Sequence, residues 1–176
     1  MRARRWWLAG ILALTLIGPA GAARAADEPA AALSESAPAG SAVAALSPAA
    51  AQVLELVNAE RQRAGLSPLA VHPQLAQAAQ AYSELMATTT CFSHNCPPEP
   101  DLLRRIELAG SASWAGVGEN IAAGQRTAEE VMAGWMASPG HRANILEPRY
   151  AALGVGLAAD GRGWLYWTQE FGIPRR

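Results

Sequence analysis

The chain has 176 residues, of which 14 are basic and 15 are acidic, so its formal net charge is −1. This length suits one domain with an appendage rather than two full domains. The near-neutral charge argues against a dedicated nucleic-acid-binding protein, which would carry a basic face, and because every basic residue is Arg, no lysine is available for Schiff-base chemistry.

The first 25 residues have the three parts of a secretory signal peptide. A basic stretch, Met1 to Arg5, precedes the uncharged run Trp6 to Gly18, and Ala23 to Ala25 form a small-residue cleavage site. An uncleaved anchor is the alternative, but the run is shorter than the roughly 20 residues of a membrane span. We therefore predict a secreted or periplasmic protein without a stable transmembrane span after cleavage, carrying 10 Arg against 15 acidic residues.

Residues 26–47 are rich in Ala, Pro and Ser and contain no aromatic residue, which predicts a disordered linker. The folded domain is predicted over residues 48–174. Its first helix should begin at Ser47-Pro48, an N-cap followed by a proline, and end at Gly65.

Three further helices are predicted along the chain. His72 precedes Pro73 at the start of the second helix and is expected to cap it. A short helix covers Asp101 to Ala109, and its face from Asp101 to Arg105 is expected to be solvated. Thr127 to Glu130 form a capping box for the last predicted helix, which the Pro139-Gly140 pair ends.

The C-terminal part changes from a helical to a strand period. Leu153, Val155 and Leu157 alternate with glycines, a turn signal follows at residues 160–163, and residues 164–171 form an aromatic strand. The Gly-rich stretch 116–124 is expected to be irregular. Helices first and a hairpin last predict an α+β fold with an antiparallel sheet.

Two cysteines, Cys91 and Cys96, bracket His94. In an exported chain this spacing favours a disulfide, which would also hold the imidazole in place. A metal site made of these three residues is the alternative, but it would need a strained loop and a fourth ligand from elsewhere.

His94, Glu119 and His141 lie in segments rich in Ser, Asn and Gly, which is typical of a site rim. Two imidazoles and a carboxylate would suit a divalent metal such as zinc, with one position left open. The same residues could act as acid and base, or they could only fasten loops through hydrogen bonds.

Six motifs occur in the same order as in the bacterial branch of the CAP superfamily, and together, over about residues 49–173, they resemble that branch. The superfamily includes cysteine-rich secretory proteins, antigen 5 and plant pathogenesis-related 1 proteins. The motifs are Leu56-Val-Asn-Ala-Glu60-Arg61, Phe92-Ser-His94, Gly118-Glu119-Asn120-Ile121-Ala122, Trp135-Met-Ala-Ser-Pro-Gly-His141-Arg-Ala-Asn144-Ile-Leu, Gly154-Val155-Gly156 and Tyr166-Trp167-Thr168-Gln169-x-Phe171-Gly172.

This resemblance implies an α-β-α sandwich, with helices on both faces of a small antiparallel sheet. It also implies that His94, Glu119 and His141 converge in one cleft, where Asn120, Ser138, Asn144 and Gln169 are further candidates for the lining. Many animal members complete the set with a second Glu, and Ser138 stands at that position here. The missing carboxylate removes a charge that would favour a cation.

Three functions remain open from the sequence. The first is a binding module whose cleft takes a small molecule, a lipid or an envelope component. The second is a metal-assisted hydrolase with Glu119 as base, His94 and His141 holding a metal or donating protons, and Glu170 or Asp101 as second carboxylate. The third is a structural envelope protein without a ligand. Nucleic acid is not expected as a partner.

Overall fold

The structure is a computed structural model that describes residues 46–98, 100–110 and 114–175. The predicted signal peptide and the linker up to residue 45 lie outside the described residues. The helices within these ranges are α1 (Pro48–Arg63), α2 (Pro73–Thr89), α3 (Leu102–Leu108), α4 (Ala128–Ala137) and α5 (Pro139–Ile145), and the strands are β1 (Ala70–Val71), β2 (Trp114–Ala123), β3 (Ala152–Ala159) and β4 (Leu165–Pro174). None of these helices is both long and apolar enough to cross a membrane.

The strands form one sheet in the order β1-β3-β4-β2. β4 pairs antiparallel with β3 and with β2, and in the second pairing Glu119 lies opposite Glu170 and Asn120 opposite Gln169. The two-residue β1 pairs parallel with β3. This strand is too short to show an alternation of apolar and polar residues in the sequence. β2 is an edge strand, and this edge organises the candidate site.

Helices cover both faces of the sheet. On one face α2 lies so close to β3 that a Cβ atom on Gly154 or Gly156 would come within 2.2 Å of the α2 backbone. On the other face Leu153 and Val155 join a core formed with α1 and α4. Successive strand residues point to opposite faces, which accounts for the alternation of glycine and large residues in β3. The predicted α+β fold, an α-β-α sandwich, is confirmed.

The Gly-rich stretch 116–124 is not irregular, as the sequence suggests, but forms most of β2. The strand hydrogen-bonds with β4 along its length, apart from an irregularity between Trp114 and Gly116. Gly118 leaves space for the side chain of Tyr150, because a Cβ atom at this position would lie 2.1 Å from the tyrosine hydroxyl. The glycines therefore reflect close packing across the sheet face, which a one-dimensional pattern does not reveal.

The predicted helix caps are confirmed at Ser47 and Thr127 and wrong at His72, and Asp101, which was expected to lie within its helix, is a further cap. Ser47, Asp101 and Thr127 each accept a hydrogen bond from a backbone N–H three residues further on, at 3.0–3.2 Å. His72 occupies the N-cap position of α2 but makes no side-chain capping bond. Its ring instead packs edge-on against Trp114, with centroids 4.7 Å apart.

Candidate functional site

The loop that carries His94 is fixed on both sides. Cys91 and Cys96 form the expected disulfide. The Tyr82 hydroxyl, which projects from α2, donates to the carbonyl of Ser93 at 2.7 Å and accepts from the N–H of Cys96 at 3.2 Å. Burial raises the pKa of Tyr82 to about 12, so this hydroxyl remains a donor at physiological pH. The loop is thus anchored to the helix that lies beneath it.

Glu119 projects from β2, and both of its carboxylate oxygens are engaged. Oε1 lies 2.7 Å from Nδ1 of His94, and Oε2 forms an ion pair with Nη2 of Arg105. The side chain of Glu119 is 3% exposed, whereas that of His94 is 32% exposed. Because a carboxylate can only accept hydrogen bonds, His94 carries a proton on Nδ1. Neutral His94 then keeps Nε2 as its unprotonated nitrogen.

Arg105 contradicts the expectation that the face from Asp101 to Arg105 is solvated, because it is only 6% exposed. Its guanidinium donates to the carbonyls of His94 and Pro100, at 3.2 Å each, and lies 3.5 Å from the ring centroid of Tyr82. The neighbouring Arg104 is exposed. Only the packing of α3 against β2 distinguishes these two arginines, so their sequence gives no signal of the difference.

A second carboxylate, Glu170, stands beside Glu119. The two residues face each other across β2 and β4, Glu170 is fully buried, and neither of its oxygens has a hydrogen-bond partner among the described residues. Burial raises the pKa of Glu170 well above its ordinary value, and the charge of Glu119 adds to this rise while Arg105 opposes it. Glu170 is therefore protonated under conditions that ionise an exposed glutamate. Asp101, the other suggested carboxylate, caps α3 instead.

A chain of amide side chains ties α5 to β2. Asn120 donates to the side-chain oxygen of Gln169 at 3.0 Å and to the carbonyl of His141 at 3.1 Å. Asn144 donates to the side-chain oxygen of Asn120 at 2.9 Å and to the carbonyl of Glu119 at 3.1 Å. These bonds use all amide protons of both asparagines, and they fix α5 against the edge strand.

His141 and Ser138 lie where α4 passes into α5. Burial lowers the pKa of His141, and the positive charge that His94 can carry lowers it further. His141 is therefore a neutral imidazole near pH 7. Ser138 is partly buried at the N-cap of α5 and makes no side-chain capping bond.

The predicted cleft residues gather around β2 but divide between its two faces. His94 and Glu119 are in direct contact on the face covered by α2, while Asn120, Asn144 and Gln169 are joined on the other face. Ser138 has no side-chain hydrogen bond to them among the described residues. The sequence analysis placed Arg105 on a solvated face and assigned Tyr82 no role in the site, because the roles of both residues depend on long-range packing.

The residues present do not fit the expected metal set of His94, His141 and Glu119. Within the described ranges, no three His, Cys, Asp or Glu side chains are grouped so that they could hold a metal ion. Glu119, the intended third ligand, has one oxygen paired with Arg105 and the other with His94. Two imidazoles remain, which is fewer than the three protein ligands of a typical catalytic zinc site.

Comparison with known proteins gives consistent matches. The sequence model of the cysteine-rich secretory protein family, CAP, matches residues 54–171. The protein YkwD of Bacillus subtilis, described as uncharacterized, is 42% identical over 120 residues, which are 68% of this chain and 45% of YkwD. The chain thus spans less than half of that relative.

Two solved structures share the fold. An extracellular protein of Bacillus anthracis that contains an SCP domain superposes with a TM-score of 0.65 and 33% identity, covering 70% of this chain and 39% of that one. An outer surface protein of Borrelia burgdorferi has the same TM-score at 17% identity, covering 70% of this chain and 90% of that one. The second match bears on the fold alone.

Proposed function

The chain belongs to the cysteine-rich secretory protein (CAP) family, and we propose that it is an exported binding module that takes a small ligand or cell-envelope component beside β2, near His94 and His141. Export is supported by the signal-peptide pattern of residues 1–25 and by the similarity to an extracellular SCP-domain protein. The proposal concerns this domain, since YkwD and the Bacillus anthracis protein extend well beyond it.

The engagement of both Glu119 oxygens carries this proposal. A general base must come within hydrogen-bonding reach of the water or substrate that it deprotonates, and the side chain of Glu119 is only 3% exposed. In this protein one oxygen holds His94 and the other holds Arg105. This arrangement favours a role for Glu119 in orienting His94 over a role in activating water.

The chemistry of the two imidazoles suggests the kind of ligand. With its Nδ1 proton donated to Glu119, His94 can offer Nε2 as a hydrogen-bond acceptor, and the lowered pKa of His141 leaves that imidazole neutral near pH 7. Such a pair suits a ligand with hydroxyl or amide donors. The glycans and peptides of the cell envelope carry both hydroxyl and amide donors.

The proposal is tested by adding soluble muropeptides to the protein and following the imidazole signals of His94 and His141 by NMR. We expect saturable shifts, an affinity at least tenfold lower in His94→Gln, and an unchanged affinity in the matched variant Asn95→Ala, whose side chain is exposed on the same loop. A tenfold loss corresponds to about 1.4 kcal/mol, the value of one good hydrogen bond.

The same samples separate the competing functions. Cleaved muropeptides, detected by mass spectrometry and absent with Glu119→Gln, would contradict the binding proposal and favour a hydrolase. A third outcome is that neither muropeptides nor phospholipid vesicles shift the NMR signals of the two histidines, while His94→Gln lowers the melting temperature. In that case His94, Glu119 and His141 only hold loops in place.

A further inference from the structure

A concave surface lies at the turn end of the sheet, away from the site around Glu119. It is an open groove of about 440 Å³, and its lining includes Gly124, Arg126, Arg162, Trp164 and Tyr166. Gly124 is five residues beyond Glu119, which corresponds to about 16 Å of extended chain. None of these groove residues takes part in the hydrogen bonds that build the histidine site.

Trp164 is a large aromatic residue that is 52% exposed, yet its position is fixed. The indole packs so closely on the backbone of Gly124 that a Cβ atom there would lie 2.4 Å from the ring. The backbone N–H of Trp164 also donates to Oδ1 of Asp160 at 2.8 Å. A rigid exposed aromatic surface costs little entropy when a ligand stacks on it.

The same turn positions one of the two arginines. Asp160 accepts from the backbone N–H of Arg162 at 2.9 Å and pairs with its guanidinium at 3.1 Å. The charge of Arg162 is thus partly balanced. Arg126 is exposed and forms no ion pair within the described residues, although Glu130 accepts a hydrogen bond from its backbone N–H. The groove therefore has a local positive charge centred on Arg126.

We propose that this groove is a binding subsite for an acidic oligosaccharide, in which a sugar ring stacks on Trp164 and a sugar carboxylate pairs with Arg126 and Arg162. Guanidinium groups match carboxylates in geometry, and an aromatic face suits the apolar side of a sugar ring. Because the predicted mature chain is acidic, its overall charge repels such a ligand, so binding would depend on local attraction by the arginines of the groove.

The experiment is an NMR titration of residues 26–176 with trigalacturonic acid, following the indole N–H of Trp164. Its fully methyl-esterified form is the matched ligand, since it keeps the sugar rings and removes the charges. We expect saturable binding of the acid, with an affinity about tenfold lower for the ester and at least tenfold lower in Trp164→Ala and in Arg126→Ala. Phe92→Ala, which removes another exposed aromatic residue, should bind like the unchanged protein.

Three results would overturn the proposal. The first is no saturable shift of the Trp164 signal at about 10 mM ligand, a concentration that detects even millimolar affinity. The second is equal binding of the acid and the ester, which rejects an acidic ligand. The third is undiminished binding of the acid by Arg126→Ala. Because Arg126 is exposed, this substitution should leave the fold intact, so it tests the proposal even if Trp164→Ala misfolds.

Discussion

Arg105 and Glu119 form an ion pair in which the two side chains are only 5% and 3% exposed. Removing one partner of a buried pair leaves the other charge without compensation. Here the remaining Glu119 would also face Glu170 across the strand pair. At the residue scale, this pair is the part of the site most sensitive to substitution.

Arg105→Ala should lower the free energy of unfolding by about 3–5 kcal/mol, because it leaves Glu119 buried and unpaired. Arg104→Ala is the matched control, since it removes an exposed arginine from the same helix and should change stability by less than about 0.5 kcal/mol. Urea unfolding measures both. Equal effects of the two substitutions would show that the buried pair is not formed.

Glu170 predicts a specific pH dependence of stability. Its pKa is raised from an ordinary value of 4.5, so the folded state holds its proton more tightly than the unfolded state does. This contribution is fully present below about pH 4.5 and is lost as the pH rises through the folded-state pKa. The groups facing Glu170 are Glu119 and Arg105, with Tyr82 close by.

Glu170→Gln removes this titration while keeping an uncharged side chain of the same shape. The variant should gain stability relative to the unchanged protein as the pH rises from about 4.5 to about 8, and the gain should be absent below about pH 4.5. Urea unfolding at several pH values measures the difference. A constant difference across this range would mean that Glu170 does not titrate with a raised pKa.

Residue identities alone predicted part of this chemistry. The Cys91–Cys96 disulfide followed from spacing and an exported context, and His94, Glu119 and His141 followed from motifs. The ion pair between Glu119 and Arg105 could not be predicted from residue identities. Arg104 and Arg105 are adjacent and chemically identical, and only the packing of α3 decides which one is buried.

At the scale of elements, the packing of α2 on β3 leaves no room for a side chain between them. A Cβ atom on Gly154 would lie 2.1 Å from the backbone of Leu75, where no side-chain rotation can relieve the overlap. This glycine sets the distance between helix and sheet. The same helix carries Tyr82, so the spacing also bears on the position of the His94 loop.

Gly154→Ala should therefore destabilise the protein by about 3 kcal/mol or more, at the upper end of overpacking effects. Gly134→Ala, in the interior of α4 with only a 3.9 Å neighbour, should be neutral or stabilising by up to about 1 kcal/mol. Thermal unfolding of both variants tests this contrast. A Gly154→Ala protein as stable as the unchanged protein would contradict the close approach.

Local signals predicted the helices better than the edge strand. The predicted caps at Ser47 and Thr127 depend on neighbouring residues only, and they are confirmed. β2 was expected to be irregular because its glycines resemble a loop. The three-dimensional structure shows why glycine is needed there, because Tyr150 and other side chains occupy the space that a Cβ atom would fill.

In the whole molecule, β2 forms the edge at which two sets of side chains meet. Arg105 and Glu119 hold His94 from one side, and the amide chain from Asn120 to Asn144 holds α5 from the other. The family resemblance implied that His94, Glu119 and His141 converge in one cleft, and of these the structure shows direct contact between His94 and Glu119. The resemblance did not anticipate that Glu119 is engaged on both oxygens.

The protonation of His94 tests this claim most directly. A ¹⁵N NMR spectrum of the imidazole nitrogens, recorded at a pH where His94 is neutral, distinguishes a proton on Nδ1 from one on Nε2. We expect the Nδ1-protonated form, because Glu119 accepts that proton in a hydrogen bond. A predominantly Nε2-protonated His94 would contradict the account, since Glu119 would then be free of His94 and available as a base.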